Sequence, residues 1–308
     1  IDGTATTGAI RAAQPTEGGS SLAGEGKTGL NAWIQGFGAD GSIGARSGTA
    51  KINDFAAGVA VGLELKSDTL TIGAAGSVSD LEANVRAFNS SNKGTLYQGG
   101  VYIAFDDGTN YANVSGSYFS GTINTARTVS VGANIVGKAV GQAGTNGYAG
   151  GASVGRRIGL GGNMYFTPQL GADLISVTRD AFIESGAGVL SLSVNREKRT
   201  MYSGLAEGRL SYRGISASGG VIEPYVSAGV RVNFGDLDTL SSMRFTGAPS
   251  GTGGFTIAGA RMPKTSALVS AGINANPSDK VSIGVEVGGS FGDKQQEGRV
   301  GLHLKIGF

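Results

Sequence analysis

The chain has no cysteine. That excludes disulfides, thiolate metal sites and cysteine nucleophiles together. It has one histidine, His303, and a lone histidine without cysteine is a poor metal site. Proline is only 6 of 308 residues, so no proline-rich disordered tract is present. Charged residues are scarce at 16%, against about 25% in soluble domains. Such a deficit fits a protein whose outer surface does not face water. No apolar run reaches the ~18 residues of a membrane-crossing helix. A closed β-barrel is the remaining way to satisfy a backbone in lipid. The net charge is only +2, and no basic run is interleaved with aromatics, so nothing points to nucleic acid. The chain opens at Ile1 with no methionine or leader-like stretch and reads as a processed or excised piece.

Glycine, by contrast, is abundant: 56 of 308, without the period that collagen requires. The rest of the pattern is alternation. From Val300 to the final Phe308, apolar Val300, Leu302, Leu304, Ile306 and Phe308 are separated by Gly301, His303, Lys305 and Gly307. One face of such a strand is apolar and the other wet. A closing strand between lipid and water needs that arrangement. The same period recurs earlier. Phe55, Ala57, Val59, Val61, Leu63 and Leu65 oppose Asp54, Gly58, Gly62 and Glu64. Val226, Ala228, Val230, Val232 and Phe234 oppose Tyr225, Ser227, Arg231 and Asn233.

The alternation and its turns predict twelve strands near 30–40, 52–65, 69–86, 94–106, 110–126, 144–159, 163–180, 197–212, 221–235, 264–275, 280–292 and 297–308. The count is even, as in bacterial barrels. Connection length adds a second pattern. Even-numbered connections such as 66–68 and 107–109 are mostly tight, while odd-numbered ones such as 127–143, 181–196 and 236–263 are mostly long. Short turns on one rim and long loops on the other are an outer-membrane arrangement. This topology sets Phe105, Tyr111, Tyr165, Phe166, Tyr212 and Phe308 near the short-turn rim. It sets Phe37, Phe55, Tyr97, Tyr118, Phe119, Tyr148, Tyr202, Phe234 and Phe291 nearer the long-loop rim, as two interfacial girdles.

Several segments resemble one family. Ala32–Ser42 (AWIQGFGADGS) is similar to the first strand of the translocator domains of type V autotransporters. Phe55–Leu65 (FAAGVAVGLEL), Tyr97–Phe105 (YQGGVYIAF) and Ile222–Phe234 (IEPYVSAGVRVNF) resemble later strands of that domain. Gly298–Phe308 (GRVGLHLKIGF) resembles its closing strand, whose assembly signal maps to Val300, Leu302, Leu304, Ile306 and Phe308. The resemblance implies an all-β, twelve-stranded antiparallel transmembrane barrel over residues 29–308, in the bacterial outer membrane. It implies a linker over residues 1–28, threaded through the lumen to a secreted passenger upstream of Ile1. It implies outer-membrane lipid and the β-barrel assembly machinery as partners, a monomer, no cofactor and no enzymatic turnover. Two departures stand out. Pro15 and Gly18-Gly19 interrupt any helix in the linker, and the tandem asparagine pair with which some members release their passengers does not occur there.

The residues offer little catalytic chemistry. His303 lies on the wet face of the last strand and reads as a lumen-facing polar residue. The Gly159–Gly162 stretch lacks the lysine of a phosphate loop, so it reads as a turn. The informative charges are those on wet faces: Glu64, Arg157, Asp173, Glu207, Arg209, Glu223, Arg231, Glu286, Arg299 and Lys305. On the lipid side near the midplane an Arg or Lys would cost about 2–4 kcal/mol. Inside, they could form a solvated pore lining or an electrostatic cradle for the linker. Two functions are compatible with this pattern: a translocator and anchor for an N-terminal passenger, or a diffusion channel.

Overall fold

The computed structural model describes residues 28–46, 49–132, 134–215, 219–249 and 251–308. Twelve strands form the barrel wall. They are β1 (Gly29–Ile43), β2 (Ile52–Lys66), β3 (Leu70–Val85), β4 (Ser90–Asp106), β5 (Asn110–Val131) and β6 (Asn134–Arg156). The second half comprises β7 (Met164–Arg179), β8 (Glu197–Tyr212), β9 (Val221–Gly235), β10 (Thr265–Ser278), β11 (Val281–Gly292) and β12 (Gln295–Gly307). Each strand pairs antiparallel with its sequence neighbour, and β12 pairs with β1, so the sheet closes and has no edge. Closure matters because an open edge in lipid would leave backbone groups unsatisfied.

The period-2 pattern turns one face outward. Val59, Val61, Leu63, Leu65, Val101, Ile103, Val226, Val230, Val285 and Leu302 are exposed on the outer wall. Their neighbours Glu64, Tyr102, Tyr225, Ser227 and Lys305 are buried on the lumen side. An inside-out distribution of this kind is what lipid as solvent selects.

Turn chemistry fixes the short rim. After β2 the Ser67 amide donates to the Leu70 carbonyl at 2.7 Å, and the Ser67 hydroxyl accepts the Leu70 amide at 3.0 Å. After β4 the Asp107 carboxylate accepts the amides of Thr109 and Asn110 at 2.8 and 2.6 Å, with Gly108 at φ 86°. These bonds hold the Asp107 carboxyl below its ordinary pKa; the Asn110 amide is the largest cause. The chain enters β1 at this same rim, where Gly29 pairs with Lys66 and the Phe308 amide donates to the Leu30 carbonyl at 3.0 Å.

The long-loop rim departs from expectation in two places. Residues 127–143 are not a loop: β5 and β6 remain paired as far as Val131 and Asn134 and stand above the wall as a hairpin. Connections 181–196 and 236–263 are not irregular either. Their segments Phe182–Ile183, Leu192–Val194, Asp238–Phe245 and Gly254–Arg261 form a separate four-stranded antiparallel sheet. The expected linker lies outside the described residues except for Thr28.

The aromatic girdles need correction. Phe55, Tyr97, Tyr118, Tyr148, Tyr202, Phe234 and Phe291 do face outward near the long-loop rim, and Phe105, Phe166, Tyr212 and Phe308 do so near the other. Phe37, Tyr111 and Phe119 are instead buried against the lumen. Tyr165 shares the inward parity of buried Thr167, and the Arg213 guanidinium lies 5.9 Å above its ring.

Candidate functional site

The lumen is the candidate site, and glycine makes room for it. Gly62 is directly opposite Trp33, Gly73 opposite Tyr102, and Gly58 opposite Phe37. Gly155 faces Tyr111, Gly147 faces Phe119, and Gly272 faces Tyr225. At each of these glycines a Cβ would collide with the ring across from it. Absence of a side chain on one strand therefore lets a ring lie flat on the inner wall of the next strand. This accounts for part of the glycine excess that turns alone do not explain.

Flattened rings carry two polar chains across neighbouring strands. In the first, the Trp33 indole N–H donates to the Tyr102 hydroxyl at 2.8 Å. That hydroxyl donates to Glu64 Oε2 at 2.6 Å, and Lys305 Nζ reaches Glu64 Oε1 at 2.9 Å. Glu64 and Lys305 have side chains only 0% and 1% exposed, so each depends on the other as counter-charge. The chain links β1, β4, β2 and β12.

The second joins β8, β9, β11 and β12. The Arg209 guanidinium stacks 4.0 Å above the Tyr225 ring. The Tyr225 hydroxyl donates to Glu286 Oε2 at 2.5 Å, and Arg299 lies 3.5 Å from Glu286 Oε1. Cation–π stacking of this kind strengthens where water is excluded.

Nine of the ten charges singled out from the sequence share strand parity with buried lumen-side residues, and Arg157, just past β6, lies 5.6 Å above the ring of Tyr111. The structure brings Glu64 to Lys305 and Glu286 to Arg299. Arg209 joins the second group through Tyr225. The others have partners that alternation does not reveal: Arg157 forks onto Asp106 at 2.7 and 2.8 Å, Glu223 binds Arg213 at 3.1 Å, and Asp173 accepts from Ser203 at 3.0 Å. Glu207 and buried Arg231 lie on the inner faces of β8 and β9. Alternation set Tyr102 and Tyr225 opposite the apolar face but gave neither them nor Trp33 a part in the polar chains of the lumen. Their signal was available: each is paired with a glycine once the register is known. Among the described residues, no cluster of histidine, aspartate and glutamate could hold a metal.

At the long-loop mouth the lumen changes character. Ile43 of β1 is buried against Leu237, Ala260 and Met262, with Ile52 of β2 and Met201 of β8 packed on the same cluster. β2 and β8 lie across the ring from one another. Segment 236–263 therefore bridges the mouth. Its anchors are polar: Asn233 donates to the Pro263 carbonyl at 2.8 Å, and Glu197 accepts from Ser241 at 2.9 Å.

The terminal strand completes the wall. Val300, Leu302 and Ile306 face outward and exposed, Leu304 outward and half-buried, and Phe308 is 66% exposed just past the strand.

Comparison with known proteins bears on this architecture. The family model described as Autotransporter beta-domain matches residues 32–288. No curated protein matches the chain in sequence. Among solved structures, the translocator domain of autotransporter NalP from Neisseria meningitidis is 18% identical, with 92% of this chain and 91% of that one covered and a TM-score of 0.71. The beta domain of the Bordetella autotransporter BrkA is 16% identical, covering 91% and 100%, with a TM-score of 0.67. The transport unit of autotransporter AIDA-I from Escherichia coli is 14% identical, covering 98% and 97%, with a TM-score of 0.61.

Proposed function

The chain belongs to the autotransporter β-domain family, and from that membership we propose that it anchors a passenger in the bacterial outer membrane and helps carry it to the cell surface. The observation that carries the proposal is the position of Gly29. β1 starts at the short-turn rim, beside Lys66 and the terminal Phe308. A polypeptide upstream of β1 that ends beyond the long loops has to cross the lumen, because the outer wall is apolar and closed. The inner wall offers carboxylates, guanidinium groups and hydroxyls along that path. Residues 1–28 are then the lumenal linker, and the mixed charges of the inner wall are its cradle.

The reading needs no catalytic turnover and no cofactor. The work is hydrophilic passage and anchoring. The apolar outer wall faces lipid as a monomer, and the alternating β12 with Phe308 is the element the assembly machinery reads. The apolar bridge at the mouth weighs against a permanently open diffusion channel.

Surface display tests this. A reporter fused ahead of Ile1 should be digested by protease added to intact cells while the barrel remains heat-modifiable. A correctly assembled barrel whose reporter stays protected in intact cells and is digested only after lysis would overturn the proposal.

A further inference from the structure

The outer wall carries a groove of about 780 Å³ at the long-loop end of β10, β11, β12, β1 and β2. Its floor is a rung of the sheet in which Val269, Gly289, Gly298 and Asp40 are paired in succession across four strands. A Cβ on Gly298 would meet nothing within 4 Å, so the floor is open space above backbone. Phe291 stands beside it, its ring against Gly289. Toward the midplane the groove continues over Val287 and Ala271. In the opposite direction it becomes polar. The next rung holds Gln296, Ser42 and Asn53, and above it Lys51 and Arg86 form the edge.

The order along the wall is therefore apolar over Ala271 and Val287, then hydrogen-bonding from Asp40 at the end of the glycine rung to Asn53 and Gln296, then cationic. That is the order of a membrane lipid seen from its acyl chain outward, and Phe55 and Phe291 mark the interface between the zones. Lys51 immediately precedes β2 and Arg86 immediately follows β3, so both lie just past the Asn53–Asn84 rung of these adjacent strands. Among the described residues neither is in an ion pair. Two neighbouring cations on one edge repel each other until an anion comes between them, and a phosphate does so with charge-assisted hydrogen bonds. Asp40 lies lower, beside Gly298. A carboxylate there disfavours a bare phosphate at its own level but accepts from hydroxyls, as Asn53 and Gln296 also can.

We propose that this groove binds a phosphorylated glycolipid of the outer leaflet. One acyl chain lies over Gly289 and Gly298 against Phe291. The sugar hydroxyls meet Asp40, Asn53 and Gln296, and the phosphate meets Lys51 and Arg86. The proposal rests on the outer-membrane reading above and adds a lipid class to it.

The test is native mass spectrometry of the detergent-purified full chain with three lipids: a phosphorylated diglucosamine lipid, its dephosphorylated form and phosphatidylethanolamine. The phosphorylated glycolipid should bind preferentially. The double variant K51Q/R86Q should weaken it by roughly tenfold and leave the dephosphorylated form nearly unchanged. G298L fills the floor where space is open and should weaken both glycolipids. Heat-modifiable migration checks that each variant is folded. Equal binding of all three lipids, a preference for phosphatidylethanolamine, or folded variants that bind like the parent would overturn the inference. Surface display would be intact in that case, so failure here is distinguishable from failure of the translocator reading.

Discussion

The two ends of the lumen are built differently. At the short-turn end, rings lie flat on glycines and buried charges are joined through them, as in Trp33–Tyr102–Glu64–Lys305. At the long-loop end, Ile43 packs on Leu237, Ala260 and Met262, residues contributed by a connection rather than by the wall. The first end is held by interactions between strands already fixed in register. The second is held by a segment that has to find its place after the wall exists. Stability should therefore concentrate in the lower lumen, and local opening at the mouth.

Breaking the lower network should have the largest effect. Glu64→Gln leaves Lys305 buried without its counter-charge and should cost roughly 3–5 kcal/mol. Urea unfolding followed by heat-modifiable migration measures it. Glu64→Gln combined with Lys305→Met removes both charges and should recover part of the loss. Next comes the ring–glycine fit. A Cβ at Gly73 collides with the Tyr102 ring, and Gly73→Ala should cost about 1–3 kcal/mol by overpacking. The same assay reads it, and unchanged stability would mean that the ring is free to move aside.

The mouth should respond locally. Leu237→Ser places a hydroxyl in the apolar bridge and should speed proteolysis within segment 236–263 while barrel migration stays unchanged. The smallest effect belongs to the exposed turn. The Asp107 carboxyl is lowered below its ordinary 3.8, so its contribution is present above that value and is lost as pH falls through the lowered pKa. Asp107→Ala should therefore be slightly destabilising at neutral pH and indistinguishable from the parent in strong acid. Parallel unfolding curves at the two pH values check this.

Much of the wall was legible because lipid imposes a rule that acts residue by residue. Alternation in Phe55–Leu65 or Val300–Phe308 is visible without any partner, and strands such as Glu197–Tyr212 and Val221–Gly235 match their expected bounds. The long-loop rim was not legible for the opposite reason. The short strand Leu192–Val194 is held between Phe182–Ile183 and Asp238–Phe245, the latter arriving from far along the chain. Inward charges could be named from parity, but their partners could not. Lys305 and Glu64 are 241 residues apart and meet because β12 and β2 flank β1. Phe37, Tyr111 and Phe119 were assigned to the girdles because aromatics at strand ends are common in both places. Strand parity already forbids adjacent Tyr118 and Phe119 from facing the same way, and each of the three inward rings lies over the glycine that the register sets against it.

The central claim is that the upstream polypeptide crosses the lumen, and site-specific photocrosslinking tests it most directly. Ser227 and Val226 are adjacent on β9, one buried inside and the other exposed outside; Ser282 and Val285 form a similar inner and outer pair on β11. A photoreactive residue at Ser227 or Ser282 should capture the upstream segment during export in living cells, and one at Val226 or Val285 should not. Capture from the outward positions alone, or no capture from the inward positions in a strain that displays its passenger, would contradict the account.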